Sequence, residues 1–208
     1  MSKLRLSFAR AIFLLYLIEE RRNNVSGKIE LHQAESKDGA LINSILVQTV
    51  QWLQSRGSTQ WSGILEGKDN HNTTEAIERG EVFYVTIEHQ PAGMFILWDQ
   101  QSEWDAALWK ENPTTDYSYL HRLTIVREFA GQGVSELLLK EAKAYAKAMG
   151  KKAVRLDCIA DNPHLNKLYQ HAGFSYKGQA KEIEADGHKT NFNLYQFDIN
   201  QKANDSES

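Results

Sequence analysis

Apolar residues along the chain recur at two spacings, every second position and every third or fourth. Between Lys28 and Ala34 they alternate through Ile29 and Leu31, which predicts a first strand. From Asp38 to Ser55, Leu41, Ile42, Ile45, Leu46, Val50 and Leu53 form a helical stripe, and Gly57 lies just beyond it. Gly63 to Asn72 reads as a polar loop, with Thr73 or Thr74 placed to cap a short helix that ends at Arg79. Val82 to Glu88 and Ala92 to Trp98 predict a hairpin closed by the tight His89-Gln90-Pro91 turn.

Asp99 to Tyr117 follows as a loop carrying Trp104, Trp109, Pro113 and several acids, longer than a plain connection needs. A strand over Ser118 to Val126 leads at once to Gly131, Gly133 and a long helix. That helix turns Val134, Leu137, Leu138, Ala142, Tyr145 and Met149 inward, and Gly150 stops it. Ala153 to Ile159 is a short apolar strand, Pro163 opens a helix to His171, and Phe174 to Lys177 and Phe192 to Ile199 close the pattern as strands. The strand, helix and strand from Ser118 to Ile159 require a right-handed crossover, hence a parallel pair, while the other pairings are antiparallel. The predicted class is α/β of the mixed α+β kind, a twisted mixed sheet flanked by helices. Neither repeats nor linkers interrupt residues 28 to 200, which read as one domain.

Residues 1 to 27 read as an N-terminal extension and residues 201 to 208 as a flexible tail. Within the extension, Phe8 to Ile18 is apolar but shorter than the ~20 residues of a membrane span. No small-x-small cleavage site follows it. It reads as a docked amphipathic helix, a membrane-surface helix or a non-native extension, and no stable membrane insertion is expected.

Composition narrows the partners. A charged fraction of 25% and a net charge of -3, with no basic run, argue against nucleic acid as a partner. Cys158 is the single cysteine of the 208 residues, which excludes an intramolecular disulfide and a zinc cluster built on cysteines. The expected compartment is the reducing cytoplasm. His164, His171 and His188 have no ligand spacing between them, so no metal site is expected.

Candidate chemistry concentrates in Leu123 to Ser135, where a strand ends, two glycines follow and a helix begins. Free amides at a helix N-terminus and the helix dipole favour an anion, and glycine lets the backbone come close to it. A diphosphate suits such a turn. The turn lacks the Gly-Lys-Ser/Thr ending of a P-loop and the third glycine of a dinucleotide fingerprint. Ala130-Gly-Gln-Gly-Val-Ser135 resembles the Arg/Gln-x-x-Gly-x-Gly/Ala motif of the GNAT superfamily of N-acetyltransferases. Asn162-Pro-His-Leu-Asn-Lys-Leu-Tyr169, ending in Gly173-Phe174, resembles the family's second block. The order of elements agrees over most of residues 28 to 200.

The resemblance implies acetyl-CoA as cosubstrate, lying where the sheet splits between Ser118–Val126 and Ala153–Ile159. By it, the main chain of Leu123 to Ile125 binds pantetheine and the Ile125 amide polarises the thioester carbonyl. The turn of Gly131, Gln132, Gly133, Val134 and Ser135 binds the diphosphate, and Asn162 contacts pantetheine. Two positions depart from the family pattern. Ala130 stands where the family carries Arg or Gln, leaving Gln132 or Arg127 as substitutes, and Ser135 replaces the last small residue.

A primary amine of pKa ~10.4 must lose a proton before it attacks, at a cost of about 4.6 kcal/mol at pH 7. His121, on the strand and in phase with Leu123 and Ile125, is the candidate base. Asp157 and Glu88 stand in reserve. The segment His121-Arg-Leu-Thr-Ile is similar to the histidine-bearing strand of arylalkylamine N-acetyltransferases. Tyr169 is the acid for the leaving thiolate by resemblance, and Cys158 reads as an inert core residue.

Acceptor contacts are expected from Trp104, Glu103 and Asp157, with Trp61, Trp109, Asp105 and Asp116 nearby, since rings and carboxylates suit a cation. Trp52 and Trp98 read as core. The acceptor class is a small-molecule or peptide amine, and the resemblance also admits a homodimer. A non-catalytic acyl-CoA-binding or regulatory module is the alternative.

Overall fold

The computed structural model describes residues 27 to 199 apart from 70, 112 and 186. The extension with Phe8 to Ile18 and the C-terminal tail lie outside the described residues. Strands β1 (Ile29–Gln33), β2 (Val82–Ile87), β3 (Gln90–Trp98), β4 (Tyr117–Ile125), β5 (Ala153–Ile159), β6 (Ser175–Ala185) and β7 (His188–Asp198) form one sheet in the order β1-β2-β3-β4-β5-β7-β6. The helices are α1 (Gly39–Ser55), α2 (Thr73–Glu78), α3 (Glu103–Trp109), α4 (Val134–Ala148) and α5 (Pro163–His171). Short 3-10 turns occupy Ser36–Asp38, Ser62–Glu66 and Arg127–Phe129.

Each face of the sheet buries its own core. On one, Ile42, Leu46 and Val50 of α1 pack with Ala76 and Ile77 of α2 against Met94, Ile96, Trp98 and Tyr119. On the other, Val134, Leu138 and Ala142 of α4, with Leu168 and Tyr169 of α5, meet Phe95, Leu120, Leu156 and Cys158. The mixed α/β class follows as expected, because only β4 and β5 run parallel, joined through α4.

Several local expectations change. The hairpin turns at Glu88 and His89, with φ of 48° and 65°, so Pro91 lies inside β3. Positive φ at both central residues matches the twist of a two-residue hairpin. Asp99 to Tyr117 is not simply a loop: it holds α3, begun by a reciprocal cap between Ser102 and Asp105. β6 is longer than Phe174 to Lys177 because it is an exposed edge strand, paired to β7 without apolar alternation. Among the described residues no helix is long and apolar enough to cross a membrane.

Two irregularities shape the centre of the sheet. β4 and β5 pair only from Tyr117 opposite Ala153 to Tyr119 opposite Arg155, and no further pairing joins them. β4 also bulges against β3, where Met94 faces Thr124 but Ile96 faces His121. Three steps on β4 therefore oppose two on β3, and Arg122 takes φ of 52°. Such a conformation costs an arginine ~1–3 kcal/mol unless its surroundings hold it. Asp69 at 3.2 Å and the Trp61 ring at 4.6 Å from the guanidinium do so. Gly93 lets β3 approach: a Cβ there would lie 2.6 Å from the Thr124 carbonyl oxygen and 2.9 Å from Leu138 Cδ1.

Candidate active site

The bulge decides which way the side chains of β4 point. Beyond Arg122 the alternation is shifted, so Leu123 and Ile125 pack on the α4 face while His121 turns to the opposite face. The expected alignment of His121 with Leu123 and Ile125 is therefore wrong, because the extra residue reverses the parity of the strand. His121 is 7% exposed. Its ring centroid lies 4.2 Å from that of Trp98 and 5.1 Å from that of His71, which meets it edge-on.

Carboxylates flank this imidazole from α3 and β5. His121 Nε2 is 3.3 Å from Asp105 Oδ2. Asp157 is partly buried on β5, and its Oδ1 accepts a 3.1 Å bond from the Trp104 indole. Burial drives the Asp157 carboxyl up to about 6, with His121 and the Trp104 N–H pulling it back and Asp105 adding to the rise. Burial, then His121 and Arg122, hold the His71 imidazole well below the usual histidine range, so it is neutral at pH 7. One ligand atom from each of Asp105, His121 and Asp157 lies within 4.8 Å of the others, a spacing that a metal ion also fits. All three groups already hold hydrogen bonds within the protein, which suits them to proton handling.

Tyr169 comes to the gap from the α4 face. It is buried in contact with Phe174 and Tyr195 at ring distances of 6.2 and 5.8 Å. Burial, followed by Cys158, Asp157 and Tyr195, raises its phenol above the ordinary tyrosine value, so the hydroxyl keeps its proton. Cys158 behaves as expected of a core thiol: burial and Asp157 push it up to about 12. Its Sγ lies 3.6 Å from Asn166 Oδ1, which also accepts from the Tyr195 hydroxyl and the Asn193 amide, each at 2.7 Å. The Asn166 amide donates to the carbonyls of Ala160 and Asn162 at 3.1 and 2.7 Å and fixes the turn from β5 into α5. Asn162 caps that helix, its Oδ1 accepting from the Leu165 amide at 3.1 Å.

At the start of α4, Gly131 and Gly133 have φ of 78° and 81°, and the glycine turn is exposed. A Cβ added at Gly131 would meet nothing within 4 Å, so the space beside that glycine is open. The Val134 side chain is core, and only its backbone faces the turn. Both substitutes for the side chain missing at Ala130 are engaged elsewhere. Gln132 Nε2 donates to the Glu128 carbonyl at 2.8 Å, and the Arg127 guanidinium stacks over Trp52 at 4.1 Å. Ser135 is partly buried in the first turn.

Of the expected acceptor residues, Trp104 and Asp157 meet, Asp105 joins them through His121, and Glu103 is exposed on the first turn of α3. Trp98, read as core, is also the shelf for His121, whereas Trp52, likewise read as core, is 37% exposed. Trp109 lies under the buried Arg155 guanidinium at 4.2 Å, and Asp116 pairs with Lys152 at 2.7 Å, so both serve packing or the surface. Glu88, the other reserve base, sits in the hairpin turn and accepts from the Lys28 amide, away from the cluster. The sequence reading missed His71 and Asn166: the first lies in a polar loop without periodicity, the second inside a helix. A cavity of about 270 Å³ between α1 and α2 is lined by Asn43, Asp69, Thr73 and Glu78 and by no basic side chain.

Comparison with known proteins bears on the fold and the family. Residues 46–174 match the Acetyltransferase (GNAT) family. The uncharacterized N-acetyltransferase YesJ of Bacillus subtilis (strain 168) is 39% identical over 142 residues, 68% of this chain and 79% of YesJ. A GNAT-family acetyltransferase from Listeria monocytogenes 4b F2365 superposes with a TM-score of 0.67 at 34% identity, covering 85% of this chain and 99% of its own. The yncA protein of Salmonella typhimurium, solved with its cofactor acetyl-CoA, has the same fold at a TM-score of 0.61 and 15% identity, over 84% of this chain and 96% of its own.

Proposed function

The chain belongs to the GNAT family of acetyltransferases and is an acetyl-CoA-dependent N-acetyltransferase, and from that premise we propose direct acetyl transfer to a primary amine of a small molecule or peptide. A non-catalytic acyl-CoA-binding or regulatory module of the same fold, the alternative, would bind acetyl-CoA without releasing thiol. One observation carries the proposal: His121 and Tyr169 approach the unpaired stretch between β4 and β5 from opposite faces.

The residues present fit acetyl-CoA. The amides of the Gly131 to Ser135 turn would hold the diphosphate beside Gly131, where the space is open. Main-chain groups of Leu123 to Ile125, released from ladder pairing with β5, would hold pantetheine, with Asn162 at the far wall. Acetyl-CoA supplies the activated thioester. His121 takes the proton that the acceptor nitrogen loses, and Tyr169 gives its hydroxyl proton to the departing sulfur. The C–N bond forms to give a tetrahedral intermediate, the C–S bond breaks as it collapses, and protons balance when His121 sheds its proton to solvent and Tyr169 regains one. Asp157, Trp104 and the acidic cavity beside Asp69 favour a cationic acceptor, and Glu103 on the same helix adds to that field.

Calorimetric titration with acetyl-CoA, coenzyme A and NAD tests the cradle. Saturable acetyl-CoA binding that Gly133→Glu weakens, with no NAD binding, is expected. Undiminished binding by a folded Gly133→Glu protein would remove the glycine turn from the cosubstrate site.

A further inference from the structure

We propose that Asp105 is a positioning residue that fixes the tautomer of His121, an inference resting on the role of His121 as base. A neutral imidazole serves as base only through the nitrogen that lacks the proton, and its other nitrogen decides which one that is. Here Nε2 faces a carboxylate, and a carboxylate only accepts. Nε2 therefore carries the hydrogen in the neutral ring, which leaves the lone pair on Nδ1.

The carboxylate is itself held still. Asp105 is 1% exposed, and its Oδ2 accepts from the Ser102 hydroxyl at 2.6 Å and the Ser102 amide at 3.2 Å. The same hydroxyl accepts from the Asp105 amide at 3.1 Å. A helix cap is thus borrowed to orient a catalytic ring. Trp98 and His71 stack on each other and both abut that ring, at centroid distances of 4.2 and 5.1 Å.

When Nδ1 binds the acceptor's proton, the N–H bond of the acceptor breaks and an N–H bond on the imidazole forms. The resulting positive charge sits between Asp105 on α3 and Asp157 on β5. Arg122 of β4 adds opposing charge, and His71 stays neutral. The carboxylates thus stabilise a charge that exists only after proton transfer, the kind of contact that lowers a barrier.

The test reads the tautomer directly, without any acceptor. Long-range proton–nitrogen NMR of protein labelled with ¹⁵N-histidine is expected to show neutral His121 protonated on Nε2, and mixed or reversed in Asp105→Asn. Thiol release from acetyl-CoA, with 2-phenylethylamine and with water alone, is expected to fall about 10²-fold in Asp105→Asn while acetyl-CoA affinity is kept. Ser102→Ala, which keeps the carboxylate but frees it, should lose less and serves if Asp105→Asn does not fold. Neutral His121 protonated on Nδ1 in the wild type overturns the assignment, as does an unchanged rate in the folded variants. A full rate in His121→Ala would instead sink the base reading, while the tautomer result still reports on Asp105.

Discussion

Asp157 stores a stability cost that a single atom change releases. Its carboxyl is carried from 3.8 to about 6, chiefly by burial, so ionising it in the folded protein is harder than in the unfolded chain. The folded state binds the proton at pH values where the unfolded state has lost it. This contribution is most favourable below 3.8 and is lost as pH rises through about 6. At roughly 1.4 kcal/mol per pH unit, the interval between those values is worth ~3 kcal/mol at pH 8. Solvent reaches part of the side chain and screens some of it, leaving about 2 kcal/mol.

Asp157→Asn keeps an oxygen for the Trp104 indole and removes the charge. Its midpoint of thermal unfolding should exceed that of the wild type by ~4–8 °C at pH 8, since a domain of this size gains about 2–4 °C per kcal/mol. At pH 4 the two proteins should melt together. Scanning calorimetry at both pH values checks this, and comparing the two proteins cancels the titrating groups that lie away from Asp157. Equal midpoints at pH 8, or a gain that persists unchanged at pH 4, refute the account of a strained carboxylate. A stabilised variant with reduced acetyl transfer would show that the strain is kept for function.

Gly93→Ala should destabilise the fold by ~1–3 kcal/mol, because the new methyl group meets the Thr124 carbonyl oxygen, which cannot move without β4. Chemical unfolding measures it, and wild-type stability would mean that the strands have room to part. Tyr169→Phe should lower thiol release by ~10²-fold with acetyl-CoA affinity unchanged in calorimetry, since only the proton for the leaving sulfur is removed. Retained turnover would strip Tyr169 of the acid role.

The sequence made the elements around the glycine turn legible because local chemistry alone fixes them there. α4 has its stripe, its glycines and a stop at Gly150, and α5 has Asn162 and Pro163 at its start. α3 was hidden by its shortness, although Ser102 and Asp105 already spell a capping pair before Trp104, Leu108 and Trp109 are counted. The bulge at Arg122 left no trace at all. Glycine or asparagine marks most left-handed positions, whereas Arg122 is held there by Asp69 and Trp61, residues distant in sequence. The face of His121 was therefore misjudged from alternation alone. His71 follows the same logic, since stacking on Trp98 at 5.2 Å becomes visible only when the chain has folded.

Trp104 and Asp105 are consecutive residues, yet one reaches β5 and the other β4. The two banks of the opening are thus gauged by a single peptide unit, as a fixed span sets the distance between two piers. Acceptor selectivity and the aim of His121 cannot be tuned separately through this helix. A substitution that resizes Trp104 to admit a larger amine will also turn Asp105. Variants with new acceptor ranges should therefore arise more readily from α1 and α2, whose cavity meets the site at Asp69.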